Sequence, residues 1–191
     1  MARNKAFNPT EKLEKARNLF WKKGYHATSM EDLVSEMKVN RGSIYDTYGD
    51  KQQLFMESLR SYALETHSEY RRAALGERSP LKAIEKIIRK AVARSFEQQK
   101  VCMVVKSSFE MAVHDDALKQ LLQQLTTALV EIFEDLIRQA IAAGEIDAKK
   151  DARQTALFLT GAFAGLWQMQ TLFDDRKMIE QMAKGMIDIL Q

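Results

Sequence analysis

The sequence predicts an all-α fold, and three observations lead to that prediction. Proline occurs only at Pro9 and Pro80 and glycine only eight times in 191 residues, so long stretches lack any residue that breaks a helix. Apolar residues recur at spacings of three and four through most of the chain, as on one face of an α-helix. Residues 101–105 have the composition of a strand, but the sequence offers no second strand to pair with them, so a helix is predicted there too.

The basic residues are concentrated near the N-terminus. Residues 1–53 contain ten Lys and Arg and seven Asp and Glu, whereas residues 54–191 contain 19 of each, so the whole net charge of +3 belongs to the first segment. Such an imbalance is expected where only one part of a protein meets a polyanion such as DNA. Solvated helices also carry charge differences of this size, so the imbalance supports DNA binding without requiring it.

The sequence excludes several classes of protein. The single cysteine, Cys102, leaves no disulfide framework and no Cys-based zinc site, and it is typical of the reducing cytoplasm, where we expect the protein. The most apolar run, residues 156–167, is shorter than the about 20 residues that cross a bilayer, so no membrane partner is expected. His26, His67 and His114 lie in separate elements, and no catalytic or nucleotide-binding motif is present. We therefore predict no enzyme activity, no metal site and no cofactor.

Two helices are predicted before residue 38. Thr10 is expected to cap the first, which runs to Lys23 and stops at Gly24. Thr28 and Ser29 each precede an acidic residue by three positions, so either can bind the free backbone N–H groups at the start of the second helix. Each is a helix cap alone, or a cap that also contacts a phosphate. The second helix has its apolar stripe at Met30, Leu33, Val34 and Met37.

A third, short helix follows a turn at residues 38–40. Asn40 can cap it, and the helix is predicted from Arg41 to about Thr47, with Val39 and Ile44 turned inward. The outward positions are then Arg41, Gly42, Ser43, Tyr45 and Asp46. Such a helix contributes little to a core, but its side chains are of the kinds that contact DNA bases and phosphates.

At this point the chain resembles the TetR family of transcriptional regulators. The resemblance covers roughly residues 10–60 and rests on Gly24-Tyr25, Thr28-Ser29-Met30, Leu33, Val39-Asn40-Arg41-Gly42-Ser43-Ile44-Tyr45 and Tyr48-Gly49-Asp50-Lys51. Beyond residue 60 it extends only to the number and length of the helices. The resemblance implies an N-terminal helix-turn-helix domain, residues 1–50, and a helical effector-binding and dimerisation domain, residues 51–191.

The family resemblance also suggests roles for single residues. It implies base or phosphate contacts by Arg41, Ser43 and Tyr45 in the major groove and phosphate contacts by Thr28, Tyr48 and Lys51. Ser29 and Gly42 are expected on the same surface. The chain departs from the family pattern at three positions. Lys38 stands where the family usually has Gly, Asp46 where a His or another ring side chain is common, and Tyr48 where Phe is common. Lys38 is expected to strain the turn and to add a phosphate contact, whereas Asp46 would repel phosphate but can accept from a cytosine amino group.

The remaining helices follow from caps and apolar spacing. A long helix begins at Lys51 and ends before Gly76, a length of roughly 37 Å at about 1.5 Å per residue. It can connect a DNA-facing module with a distant pocket, or simply brace two layers. Further helices are predicted from Pro80, across residues 101–114, from Asp115 or Asp116 to Gly144, from Asp151, and from Asp174 or Asp175.

A dimer interface is predicted on the last two helices. Gly161 and Gly165 lie four residues apart in an apolar helix, where small residues let another backbone approach closely. With Met178 and Met182 of the last helix, they would form a face that pairs with its symmetry mate as a four-helix bundle. The alternative is that the same residues pack within one chain.

An effector pocket is predicted among the middle helices, by the same resemblance. The set consists of aromatic and methionine side chains with few polar anchors, which suits an apolar ligand: Phe96, Met103, Phe109, Phe133, Phe163 and Trp167. Each of these is also an ordinary core residue. Cys102 lies near a helix start with Lys100 and Lys106 close by, which favours a reactive thiolate, and its region resembles that of relatives that sense electrophiles or oxidants. A buried, inert thiol is the alternative.

The sequence therefore predicts a dimeric transcriptional repressor. Its partners would be a double-stranded, near-palindromic DNA operator and a small apolar or electrophilic effector that releases it. One alternative is an architectural DNA-binding protein without effector, which would show little sequence preference. The other is an enzyme on the same scaffold, which the lack of a convergent acid–base set disfavours.

Overall fold

The computed structural model describes residues 8–190, and within them the chain forms α-helices without any strand. The predicted all-α fold is confirmed. The nine helices of this segment are α1 (Pro9–Lys23), α2 (Met30–Met37), α3 (Arg41–Tyr48), α4 (Lys51–Leu75), α5 (Pro80–Gln98), α6 (Met103–Met111), α7 (Asp116–Ala142), α8 (Ala152–Phe173) and α9 (Arg176–Asp188).

Most helix starts are fixed by a side chain that accepts a hydrogen bond from a backbone N–H three residues later. Five predicted caps are confirmed, because such bonds are accepted by Ser29, Asn40, Asp115, Asp151 and Asp175. The predicted place of Pro80 in the first turn of α5, behind Ser79, is confirmed as well. The predicted cap at Thr10 is wrong. Asn8 caps α1 and accepts from the backbone N–H of Thr10 at 3.0 Å, because Pro9 occupies the first helical position, where its missing N–H costs nothing.

The N-terminal apolar cluster is built from parts of six helices. Phe20, Leu33 and Ile44 of α1–α3 are at most 1% exposed and pack with Leu54 and Phe55 of α4. Residues of α6 and α7 complete the cluster: Met103, Met111, Leu118, Leu121 and Leu122. The three short helices thus share their core with the rest of the chain, and the domain boundary at residue 50 stays a prediction.

The C-terminal apolar cluster joins α4 and α5 to α7, α8 and α9. Helix α7 packs along α8, and α9 closes the layer by packing on α5 and α8. Helix α4 contacts α1, α5 and α7 and contributes buried residues to both clusters. No helix between residues 8 and 190 combines the length and the apolarity needed to cross a membrane.

Candidate functional site

The turn between α1 and α2 is ordered by three side chains. Ser29 and Asp32 form a reciprocal cap, in which the Asp32 N–H donates to Ser29 Oγ at 3.0 Å and the Ser29 N–H donates to Asp32 Oδ2 at 2.9 Å. Lys23 Nζ donates to Asp32 Oδ1 at 2.8 Å, and this bond, with those to Ser29, lowers the pKa of Asp32 to about 2. The start of α2 is therefore held in place before any ligand binds.

Thr28 differs from the sequence-based expectation. Its side chain is fully buried, and its hydroxyl donates a 2.6 Å hydrogen bond to the carbonyl oxygen of Gly24. The expected phosphate contact from this hydroxyl is inconsistent with the structure, because the donor is already used inside the turn. Ser29, by contrast, is exposed at the start of α2.

The turn between α2 and α3 depends on a strained residue and a cap. Lys38 has φ 53° and ψ 49°, in the left-handed region, so the expected strain at this position is present. Asn40 Oδ1 accepts from the backbone N–H of Ser43 at 2.7 Å. The turn is therefore tight enough for α2 and α3 to cross each other. It leaves the Lys38 side chain exposed.

Helix α3 presents one buried side chain and a polar outer face. Ile44 is fully buried, whereas Arg41, Gly42 and Asp46 are exposed and the Tyr45 side chain is 41% exposed. Ser43 lies half-buried between these positions. The expected outward face is thus present as a continuous patch.

Arg41 is held in a polar cluster on this face. Its Nε and one terminal nitrogen donate to the hydroxyl oxygen of Tyr45 at 3.2 and 3.1 Å, and its other terminal nitrogen lies 3.3 Å from Glu31 Oε1. The bond to Tyr45 raises the pKa of Arg41, and Glu31 adds to the rise. Sequence reasoning missed Glu31, because it precedes Arg41 by ten residues and only the crossing of α2 and α3 brings the pair together.

Tyr48 and Lys51 flank the same surface. The Tyr48 hydroxyl donates to the carbonyl oxygen of Pro9 at 2.7 Å, so it ties α3 to the start of α1 and is left only as an acceptor. That bond is inconsistent with a phosphate contact through the same proton. Lys51 Nζ lies 4.3 Å from the centre of the Tyr25 ring, and partial burial lowers the pKa of Lys51. The Lys51 ammonium, near the start of α4, can therefore still donate hydrogen bonds.

Helix α6 reaches the end of α1 through a lysine. Lys106 Nζ donates hydrogen bonds to the carbonyl oxygens of Trp21 at 2.9 Å and Lys22 at 3.2 Å. Both carbonyls belong to the last turn of α1, where backbone acceptors lack helical partners. The Trp21 indole N–H donates to the carbonyl oxygen of Val101 at 2.6 Å, just before α6.

A second contact from α6 meets the turn that follows α1. Glu110 Oε1 accepts from the backbone N–H of His26 at 2.9 Å. Gly24 has φ 91°, and a Cβ added there would lie 2.9 Å from Glu110 Oε2, so both the conformation and the close approach favour glycine. Sequence reasoning missed Glu110, because its partner lies 84 positions earlier.

The predicted effector residues do not form one pocket. Phe109 is 72% exposed on the outer side of α6, so its assignment to a pocket is wrong for this structure. Met103 is buried in the N-terminal cluster instead. Phe133, Phe163 and Trp167 form a row with ring centres 5.8 and 5.6 Å apart inside the C-terminal core, and Phe96 packs at the edge of that core. Helix α6 turns its residues toward different clusters, which periodicity alone does not reveal.

Cys102 and Trp167 do meet at a small cavity. Its volume is about 10 Å³, about enough for one water, and Tyr62, Tyr70 and Arg94 also line it. Cys102 occupies the position before α6, where it is half-buried. Burial raises the pKa of the Tyr62 phenol well above its ordinary value, with a contribution from the nearby Cys102. Any effector at this cavity must therefore displace side chains or helices.

The outer face of α8 is apolar and open. One face of the helix carries Phe158, Gly161, Gly165, Gln168 and Leu172, which follow one another at alternating spacings of three and four residues. Phe158 is 49% exposed and Leu172 is 67% exposed, and a Cβ added to either glycine would meet nothing within 4 Å in the described part of the chain. Met178 and Met182 of α9 are partly buried against their own core.

These features define a helix-turn-helix protein whose three N-terminal helices pack on a larger helical layer. Between residues 8 and 190, His, Cys, Asp and Glu side chains form no group of three that could hold a metal ion.

Comparison with known proteins identifies the family. Residues 13–57 match the family model described as bacterial regulatory proteins, tetR family, and residues 80–186 match the tetracyclin repressor-like C-terminal domain. An uncharacterized HTH-type transcriptional regulator of Bacillus subtilis, YezE, is 33% identical over 78% of this chain and 78% of its own. The chain belongs to the TetR family of DNA-binding transcriptional regulators.

Two further proteins are similar over most of their length. The HTH-type transcriptional repressor ComR of Escherichia coli is 23% identical over 86% of this chain and 80% of its own. A cysteine mutant of the TetR-family regulator CifR, complexed with 26-bp double-strand operator DNA, has a TM-score of 0.88 at 23% identity and covers 100% of both chains. At this identity, the likeness to CifR establishes the fold.

Proposed function

We propose that the protein is a homodimeric repressor that binds a near-palindromic operator and is released from it by a small apolar or electrophilic effector. The observation that carries the DNA-binding part is helix α3, which buries Ile44 and presents a polar face on well-capped turns. The similar CifR mutant is complexed with operator DNA, and ComR is a repressor, which supports the same role here.

The proposed DNA contacts fall into two groups. Arg41, Gly42, Ser43, Tyr45 and Asp46 would lie in the major groove. Arg41 would exchange its bonds to Tyr45 and Glu31 for bonds to a base or phosphate, since a guanidinium binds guanine with two bonds. The second group would hold the DNA backbone through exposed hydroxyl and ammonium donors: Ser29, Lys38 and Lys51.

The proposed dimer forms through α8 and α9. The open apolar face of α8 would pack against the same face of a second copy around a two-fold axis, with Gly161 and Gly165 allowing the helices to approach. Exposed Phe158 and Leu172 would become buried, which removes apolar surface from water. Two α3 helices would then read successive major grooves about 34–36 Å apart, or somewhat further.

The proposed effector acts where Cys102 and Trp167 meet. The cavity there is small, so an apolar or electrophilic effector would bind by selecting a more open conformation. Cys102 leads into α6, which contacts the last turn of α1 through Lys106. An effector that binds the open form more tightly would therefore move the helix-turn-helix domain and weaken operator binding.

Selection of bound sequences from random DNA tests the DNA-binding part. We expect one near-palindromic sequence to be enriched, and its binding to be at least about 10³-fold tighter than binding to random DNA. Arg41→Ala should lower operator affinity by about 1–3 kcal/mol without changing the thermal midpoint, while Arg72→Ala, an exposed arginine on α4, should leave affinity unchanged. Enrichment of no sequence would favour the architectural alternative.

Alkylation of the folded protein tests the effector part. Treatment with N-ethylmaleimide should modify Cys102 and release the protein from its selected operator, and Cys102→Ser should bind the operator but resist the reagent. A thiol that reacts only after denaturation would eliminate the electrophile and leave an apolar effector. Retained operator binding after complete modification would have the same consequence.

A further inference from the structure

An open cleft of about 380 Å³ lies between α1, α4 and α5. Its walls carry Arg17 and Trp21 of α1, Tyr62 of α4 and Arg94 of α5, and Lys100 also lines it. The volume falls in the range of small-molecule sites. Because α1 belongs to the helix-turn-helix domain and α5 does not, a ligand here would touch both parts of the protein.

The cleft contains cationic donors whose capacity is not used up. Arg17 is 8% exposed, and its Nε is buried with no hydrogen-bond partner among the described residues. Lys100 Nζ lies 4.7 Å from the centre of the Trp21 ring and makes no ion pair within residues 8–190. Burial lowers the pKa of Lys100, and repulsion from Arg17 and Lys22 adds to the effect. A bound anion would relieve that repulsion.

The carboxylates of the cleft restrict the charge of that anion. Glu65 lies 2.5 Å from Arg17 and Glu69 lies 2.5 Å from Arg94, and each uses one oxygen in its ion pair. Glu14 also lines the cleft, at 3.9 Å from Arg17. These groups oppose a second negative charge on the ligand, which disfavours a doubly charged phosphate. Their other oxygens can accept hydrogen bonds from ligand hydroxyl groups.

We propose that the cleft between α1, α4 and α5 binds a small hydroxylated monocarboxylate, with the carboxylate at Lys100 and Arg17 and the hydroxyl groups toward Glu65 and Glu69. This cleft adjoins the small cavity at Cys102, with which it shares Tyr62, Arg94 and Lys100, but Arg17, Glu65 and Glu69 line the cleft alone. Its occupation would tie α1 to α4 and α5. It does not depend on the proposed apolar or electrophilic effector.

Three probes of matched structure test the proposal on the full chain. Gluconate carries both groups, sorbitol replaces its carboxylate with an alcohol, and hexanoate keeps the carboxylate without the hydroxyls. Binding is followed by calorimetry and by the indole N–H resonances of the two tryptophans. Gluconate should bind saturably and shift the Trp21 signal, because Trp21 lines the cleft and Trp167 does not. Sorbitol and hexanoate should bind at least about tenfold more weakly.

Lys100→Gln should raise the Kd for gluconate at least about tenfold, whereas Lys90→Gln, an exposed lysine on α5 outside the cleft, should leave it unchanged. Absence of saturable gluconate binding would overturn the proposal. So would equal binding of sorbitol, a shift confined to Trp167, or equal effects of the two lysine variants. The probe comparison uses the unaltered protein, so the test does not depend on how a variant folds.

Discussion

Lys38 illustrates how a single residue can carry both a cost and a function. Its left-handed conformation, at φ 53°, costs an L-residue about 1–2 kcal/mol, whereas glycine adopts it without that cost but is more flexible when unfolded. We therefore expect Lys38→Gly to raise the free energy of unfolding by about 0.5–1 kcal/mol. If Lys38 contacts phosphate, the same change should weaken operator binding and reduce the salt dependence by about one charge.

A matched variant separates the two effects of Lys38→Gly. Gln99 has φ 51° at the end of α5, away from the helix-turn-helix surface, so Gln99→Gly should stabilise the protein without changing DNA affinity. Urea unfolding and the logarithmic salt slope of binding are the two measurements. An unchanged salt slope for Lys38→Gly would mean that Lys38 makes no phosphate contact.

His67 makes stability depend on pH. Burial, with repulsion from Arg71, lowers its pKa from 6.5 to about 4, so the unfolded chain binds a proton more readily than the folded one. The contribution of neutral His67 to stability is present above pH 6.5 and is lost as the pH falls toward about 4. His67→Gln should remove roughly 1–2 kcal/mol of the decrease in unfolding free energy between pH 7 and pH 4.5, measured in urea.

The matched control for His67 is His114→Gln, because His114 is exposed beyond α6. It should keep the pH dependence of the unaltered protein. If His67→Gln loses as much stability between pH 7 and pH 4.5 as the unaltered protein, other groups cause the decrease.

At the scale of elements, the sequence predicts what depends on near neighbours. Ser29 and Asn40 accept from N–H groups three residues on, so their caps can be predicted from spacing alone. The error at Thr10 arose because Pro9 is a favourable first helical residue and moves the cap to Asn8. In α6, Met103 is buried and Phe109 is exposed. This difference depends on the helices that pack around α6, and the spacing of apolar residues does not predict it.

In the proposed functional sites too, the sequence predicts the features that depend on near neighbours and misses those that depend on distant helices. The outward face of α3 is predictable because Ile44 is the one buried residue of this helix. The bond between Glu31 and Arg41 requires the crossing angle of two helices, and the cleft at Lys100 requires α1, α4 and α5 together. Charged residues in those places look like ordinary solvated residues in the sequence.

Helix α6 is a second connection between the helical layer and the helix-turn-helix domain, besides α4. Lys106 supplies two hydrogen bonds to α1, and a charge-assisted bond of this kind contributes about 1.5–3 kcal/mol. Lys106→Met keeps the aliphatic stem and removes the donors, so it should weaken operator binding by about 0.5–2 kcal/mol although Lys106 lies outside the proposed DNA-contacting set. Binding to the selected operator provides the measurement.

Lys119→Met is the matched control for α6, because Lys119 is exposed on α7. Its operator affinity should equal that of the unaltered protein, and Lys106→Arg should restore part of the lost affinity, since a guanidinium can also donate to carbonyl oxygens. Normal operator affinity in Lys106→Met would mean that α4 alone carries the coupling.

At the scale of the whole molecule, the open face of α8 is the proposed dimer interface. Gly161 meets no other part of the described chain at its Cβ position, so Gly161→Glu should leave one protomer folded and even favour its helix by up to about 1 kcal/mol. In a dimer the two new carboxylates would be buried near the axis without partners, which costs several kcal/mol. Light scattering should then give a monomer mass at micromolar concentration, and operator affinity should fall because each half-site is bound separately.

Ala117→Glu, on an exposed turn of α7, should stay dimeric. A Gly161→Glu protein that remains a dimer with full operator affinity would place the interface on another face and leave the exposed Phe158 and Leu172 to a different partner.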